Sequence, residues 1–201
     1  MYEKFKLDES RVRKNPIEQF DDWFTDGQMN EMGAVSVSTV EEDGCPRTRM
    51  VLLNSYNRDG FIFYTHYDSR KGQAIEKTRQ ACLHFFIPSL QRQIIIKANL
   101  QRIPESASDR YFQMIPRGNR LSSLITQQSS QVPNRDFLSN KMDELEKAFR
   151  GKEIPRPEYW GGYLAKPYEM EFWQGRSDNL HNRILYNLTD GREWKISRLA
   201  P

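Results

Sequence analysis

The residues best suited to chemistry stand together in Phe63-Tyr64-Thr65-His66-Tyr67-Asp68-Ser69-Arg70-Lys71-Gly72. An aromatic, β-prone run passes there into a segment whose first helical turn carries Ser69, Arg70 and Lys71. Free backbone N–H groups, the positive end of a helix dipole and two cations would converge, making a cradle for a phosphate. The plainer reading is a capped helix with solvated charges, and spacing alone does not choose between the two. Neither GxGxxG nor the P-loop pattern occurs, so a phosphate-bearing cofactor must be held by other means. Metal chemistry lacks ligands. The histidines are His66, His84 and His181, none at i, i+4 from another, and Cys45 and Cys82 form no CxxC pair. Both cysteines are expected as reduced thiols.

The elements that position this segment read as consecutive strands. Short β-like runs cover Ala34 to Val40, Met50 to Leu53, Phe61 to Thr65, Leu83 to Ile87 and Ile94 to Leu100. Glu42-Asp43-Gly44 and Asn57-Arg58-Asp59-Gly60 are turn formers, the latter a hairpin signal. A helix is expected from Pro16, with Ile17, Phe20 and Phe24 on one face and Gly27 ending it. Further helices are expected from Glu105 to Met114 and, capped by Asn134, through Phe137, Met142 and Phe149 to Gly151, covering the sheet. Beyond Pro155-Arg156-Pro157 the chain is aromatic and strand-like again. The expected class is mainly β with flanking helices (α+β), an antiparallel sheet or barrel.

Composition sets the outer limits. The 201 residues suit one domain, taken as 1–201 with a polar arm over about 1–15. Apolar residues make up 37% and charged residues 28%, enough for a core beneath a heavily charged surface. The 30 basic and 27 acidic side chains leave +3 and are interspersed, which disfavours a dedicated nucleic-acid binder. No run approaches the ~20 apolar residues of a membrane span, and the first residues form no signal core. A soluble, cytoplasmic protein without a membrane partner is expected.

Several motifs then fall in a recognisable order. They are Arg49-Met50-Val51-Leu52-Leu53, the Tyr64-Thr65 to Ser69-Arg70-Lys71-Gly72 run, Arg92-Gln93, Tyr111-Phe112, Gln128-Ser129, Pro155-Arg156-Pro157-Glu158-Tyr159-Trp160-Gly161-Gly162-Tyr163, Glu171-Phe172-Trp173-Gln174-Gly175, Leu180-His181 and Arg198-Leu199-Ala200-Pro201. From about Pro16 to its last residue the chain resembles the pyridoxamine 5′-phosphate oxidases. The resemblance implies an FMN-binding split β-barrel that forms a homodimer, with FMN in clefts at the subunit interface. It implies FMN contacts from Arg49, Met50, Val51, Leu52, Tyr64, Thr65, Arg70, Lys71, Gln93, Gln128, Ser129, Trp173 and Arg183, several reaching across the interface. It also implies hydride transfer to FMN with O2 as the acceptor, and His181 over the substrate as positioner or proton acceptor.

The substrate side departs from the family. Where vitamin-forming members carry a lysine, a tyrosine, an arginine and a serine that clamp the substrate phosphate, this chain has Asn54, Tyr111, Ile115 and Asn119. Asn179 replaces the arginine before Leu180-His181. Losing cationic partners weakens phosphate binding by roughly 1.5–3 kcal/mol each. The leading expectation is therefore an FMN-dependent oxidase acting on a small reduced or amine substrate other than pyridoxamine 5′-phosphate. The phenazine-pathway branch of the family offers an analogue: it shares Thr65-His66, where vitamin-forming members have Thr-Asn, but keeps the arginine at the position of Asn179. A genuine pyridoxine/pyridoxamine 5′-phosphate oxidase remains open, with Arg117, Arg120 or Arg176 replacing the lost cations. So does a non-catalytic flavin-binding protein.

Overall fold

Alternation of apolar and polar residues builds one antiparallel sheet, and a computed structural model of the chain describes it over residues 7–26, 33–190 and 193–201. Its strands are β1 (Ala34–Val40), β2 (Pro46–Leu52), β3 (Ser55–Asn57), β4 (Gly60–His66), β5 (Gln80–Ile87), β6 (Arg92–Arg102), β7 (Trp160–Gln174), β8 (Asn182–Thr189) and β9 (Glu193–Arg198). The helices are α1 (Pro16–Asp26), α2 (Arg70–Thr78), α3 (Glu105–Met114), α4 (Arg117–Ser122) and α5 (Arg135–Ala148). Gly27, expected to end α1, lies outside the described residues, as do residues 1–6 of the arm.

The strand order is β2-β1-β5-β6-β7-β4-β3, with β8 added to β7 and β9 to β8. The 15-residue β7 is the branch point. Its first half pairs with β4 and its second half with β8, while β6 runs along both halves. The exchange of partners surrounds Pro167, which has no N–H to donate, and the β6 register shifts opposite it between Lys97 and Ala98. Bent there, the sheet curls into a half-barrel. The hairpin expected at Asn57 to Gly60 joins β3 and β4 with those two residues paired.

Two apolar clusters result. The larger fills the concave side of the sheet, with Val35, Val37, Leu83, Phe85, Ile94, Ile96, Phe61, Phe63 and Tyr163 all buried. Helix α1 closes it with Ile17, Phe20 and Trp23; Phe24, expected on that face, is only partly buried. Phe20 sits edge-on to Tyr56, Phe61 and Phe85 at centroid distances of 5.0, 4.8 and 5.2 Å. The smaller cluster joins Phe112, Leu121, Ile154 and Trp160 under α3, α4 and α5. Helix α5 buries no residue completely, so it screens this cluster instead of covering the main sheet. Arg156 ties the two layers, its side chain donating to Asp109 on α3 and to the Trp160 carbonyl at the start of β7.

Phe20→Ala removes the ring that three strands pack against, and a large-to-small change of this kind costs about 3–5 kcal/mol. Urea denaturation followed by tryptophan fluorescence should show that loss as a lower midpoint.

Candidate functional site

The end of β4 and the start of α2 meet at Ser69. Its hydroxyl accepts from Gly72 N at 3.2 Å and donates to the His66 carbonyl at 2.7 Å, so it caps the helix and pins it to the strand end. Gly72 is required by that closeness: a Cβ there would lie 2.1 Å from the Tyr67 carbonyl oxygen. The turn directs Lys71 inward. Only 8% of this residue is exposed, and its Nζ donates to Thr65 Oγ1 at 3.0 Å and Gln128 Oε1 at 2.5 Å, with Ser69 Oγ at 3.4 Å. All three acceptors are neutral. Burial, with the nearby Arg49 cation second, pushes the Lys71 amine down to about 8.

Arg49 donates one guanidinium nitrogen to the Val37 carbonyl and Thr39 Oγ1, while its Nη2 is buried without a hydrogen-bond partner. Lys71 thus has only neutral hydrogen-bond partners beside a second cation, and Arg49, which also feels the Glu41 carboxylate, keeps an unmet buried donor. An anion with several acceptor oxygens would satisfy both, so the donor set fits a phosphate group.

This end opens into a cleft of about 1000 Å³. Met50, Val51, Leu52, Tyr64, Thr65, Lys71 and Gln128, expected on the cofactor side, line it. So do Asn54, Tyr111, Ile115 and Asn119, expected on the substrate side. Tyr64, Tyr111 and Trp160 cluster with their ring planes within 20° of parallel, Tyr64 lying 3.9 Å from Tyr111 and 5.3 Å from Trp160, and give the cleft an aromatic wall. Two of the arginines placed to replace the lost clamp are tied elsewhere. Arg117 binds Glu146 and the Phe149 carbonyl, and Arg176 forms a two-point pair with Asp178; Arg120 donates Nη1 to Gln113 but keeps a buried Nε without a partner.

Sequence reasoning missed the opposite wall. Arg135, Leu138, Ser139, Met142 and Asp143 of α5 all border the cleft. Their spacing puts them on one helical face, which was the available signal.

The remaining expected residues lie away from this cleft. Arg70 borders a second, smaller depression with Glu41, Glu42 and Lys77. Gln93, Trp173 and Arg183 form a row directly opposite one another across β6, β7 and β8. Gln93 bonds His84 at 3.0 Å, and Arg183 grips Glu171 at 2.7 and 3.1 Å. His181 packs on Trp173 at 4.8 Å, and its Nδ1 accepts the Arg176 N–H at 3.1 Å. The neutral ring therefore keeps its proton on Nε2 and presents a donor, which suits a positioning role better than proton acceptance. Ser129 and Asn179 both take left-handed backbone, at φ 77° and 58°. Asparagine adopts that conformation more readily than arginine, a local reason for Asn179.

The sequence profile described as pyridoxamine 5′-phosphate oxidase matches residues 26–148, and that described as the pyridoxine 5′-phosphate oxidase C-terminal dimerisation region matches residues 160–201. The chain belongs to the pyridoxamine 5′-phosphate oxidase family. It is 46% identical to the pyridoxine/pyridoxamine 5′-phosphate oxidase of Flavobacterium psychrophilum, over 100% of this chain and 95% of that protein. The corresponding protein of a Nostoc species is 41% identical over 97% of this chain and 92% of its own length. Among solved structures, PhzG from Burkholderia lata, in complex with tetrahydrophenazine-1-carboxylic acid, superposes with a TM-score of 0.90 at 28% identity, covering 99% and 98% of the two chains. An FMN-binding, pyridoxamine 5′-phosphate oxidase-related protein from Nostoc punctiforme shares the fold with a TM-score of 0.73 at 16% identity. The half-barrel is thus the FMN-binding split barrel of pyridoxamine 5′-phosphate oxidases, whose members are FMN-dependent oxidoreductases. Trp173, Arg183 and His181 all fall within the dimerisation region.

The lowered Lys71 amine sets a pH signature for the cofactor-free protein. An unfolded lysine titrates near 10.5, so between about 8 and 10.5 the unfolded chain holds the extra proton and stability rises with pH. Thermal melts of stripped protein should show that rise, and Lys71→Met should flatten it while stabilising the stripped protein at pH 7.

Proposed function

We propose that this chain is an FMN-dependent oxidase that takes a hydride from a small reduced or amine substrate other than pyridoxamine 5′-phosphate. FMN, when bound, supplies hydride acceptance and reoxidation by O2. The chain's own residues bind and orient. Arg49 and Lys71 hold the cofactor phosphate, with Thr65 and Gln128 fixing the Lys71 ammonium. Tyr64, Tyr111 and Trp160 offer a flat apolar wall, and His181 directs its Nε2–H toward the substrate. The observation that carries the substrate reading is the neutral lining at Asn54, Ile115 and Asn119, with Arg117 and Arg176 engaged elsewhere and Arg135, a cation of the cleft lining, on the opposite wall. A phosphorylated pyridine meets amides and an isoleucine where it needs cations. The phenazine-type neighbour supports a ring substrate with less negative charge.

The Gln93, Trp173 and Arg183 row lies outside the cleft of its own chain, so the complete site needs a second copy. Met50, Leu52 and Phe86 are exposed at 60%, 74% and 49%, an apolar surface suited to that contact. A homodimer with FMN at its interface is the assembly that completes the site, in keeping with the dimerisation region matched by residues 160–201.

A second reading, a true pyridoxine/pyridoxamine 5′-phosphate oxidase, is favoured by the 46% identity to the Flavobacterium protein. Turnover decides between them. The purified protein should be yellow with about one FMN per chain, and Lys71→Ala should weaken FMN binding by about 1.5–3 kcal/mol. Pyridoxamine 5′-phosphate should be oxidised very slowly. Restoring Asn54→Lys, Ile115→Arg, Asn119→Ser and Asn179→Arg together should raise that rate, since coupled positions act jointly. Efficient oxidation by the unaltered protein would establish the second reading. Sedimentation with and without FMN tests the dimer, which the cofactor should stabilise by mass action.

A further inference from the structure

Three buried polar atoms near the Lys71 end of the cleft have no hydrogen-bond partner: Arg49 Nη2, His66 Nδ1 and Asp68 Oδ1. Native interiors rarely leave such atoms unpaired, so a group of them marks a place completed by something else. A cofactor phosphate accounts for Arg49. It does not by itself account for His66 and Asp68.

His66 is 7% exposed and its ring stacks on Tyr159 at 5.5 Å. It borders the cleft beside Thr65 and Lys71. Its Nδ1 lies 3.8 Å from Asp68 Oδ1, just outside hydrogen-bond reach. The charged and titratable groups around it are Asp68 from the turn after β4, Lys71 from α2 and Tyr159 from the segment entering β7. Arg49 adds its charge through Lys71.

We propose that His66, backed by Asp68, is a further ligand for the phosphate end of the bound cofactor and takes up a proton from solvent as that anion binds. This rests on the FMN reading above. A neutral imidazole has one N–H, whereas an Asp68 carboxylate and a phosphate oxygen on opposite sides of the ring ask for two. Only the imidazolium serves both. In the anion-free protein, burial, partly offset by Asp68 and reinforced by the Lys71 cation, holds the imidazole below its ordinary range, so near pH 7 it is neutral and has a single N–H. A dianion beside Lys71 and Arg49 reverses the local field and favours the charged ring. Its Nδ1–H then closes on Asp68 and its Nε2–H on the phosphate.

Calorimetry tests this on the full-length protein stripped of flavin and titrated with FMN near pH 7, in buffers of different ionisation enthalpy. Lys71 is already mostly charged there, and the FMN phosphate, with a second pKa of about 6, is mostly dianionic. The wild type should take up about one proton per FMN and His66→Asn almost none. Relative to His66→Asn, wild-type affinity should tighten about tenfold per unit of falling pH between roughly 7.5 and 6.5. Asp68→Asn, which leaves Arg49, Lys71 and the imidazole in place, should lower the uptake and serves if His66→Asn fails to fold. Riboflavin, which lacks the phosphate, should show no uptake that depends on His66. Equal uptake in wild type and variants, or equal uptake with riboflavin, overturns the proposal while leaving FMN binding intact. A protein that binds no FMN at any pH overturns the cofactor reading and this inference with it.

Discussion

The structure depends on a buried ammonium that has no carboxylate among the described residues. Lys71 is held by Thr65, Ser69 and Gln128, and the cation nearest to it, Arg49, repels it. Taking a charge out of water without a counter-charge is expensive, and it persists only where the surroundings are rigid enough to enforce it. Here the enforcement is local. Ser69 clamps the first turn of α2 to the His66 carbonyl, and Gly72 lets that turn approach the Tyr67 backbone more closely than a side chain would allow. The charge is therefore fixed in advance of its partner. An anion entering this end finds donors whose desolvation is already part of the folded state, and less of its binding energy goes into ordering them.

The expected site residues fall into two groups, one lining the cleft and one on the far arm of the sheet. β7 serves two sheets' worth of partners by bending at Pro167, and its halves carry different work. The first half, with β4, supports the aromatic wall of Tyr64 and Trp160. The second half holds Trp173 between Gln93 and Arg183 on the opposite arm. One curved strand keeps these two faces apart, so in the homodimer proposed above a second copy would have to supply the missing face.

Local chemistry was legible in the residues, and long-range placement was not. The helix at Glu105–Met114, the Asn134 cap and the strand at Ala34–Val40 follow from periodicity and capping that a few neighbours decide. Helix α4 carries Gly118 and only one buried residue, Leu121, so it has no apolar period to read. The motif Arg70-Lys71 looked like a pair of equivalent cations, yet adjacent helical residues point about 100° apart. Lys71 enters the cleft and Arg70 borders the smaller depression. The cleft wall from α5 was missed because a half-exposed amphipathic face looks the same whether it meets solvent or a ligand.

The separation between the cationic end and the neutral wall also bears on how such a protein changes its substrate. Lys71, Thr65 and Gln128 share one hydrogen-bond network, so altering any of them disturbs a buried charge and costs the others. Asn54, Ile115 and Asn119 are not joined to that network by any side-chain hydrogen bond among the described residues; Asn119 contributes only its backbone, to the turns of α4. Sites that share no partners behave nearly additively, and residues of this kind are free to vary without unsettling the cofactor end. Asn179 fits the same logic from the other arm: its left-handed backbone suits asparagine better than arginine. Retention at one end and replacement at the other is then what the physics permits. The cationic end is a coupled unit, and the neutral wall shares no side-chain hydrogen bond with it among the described residues.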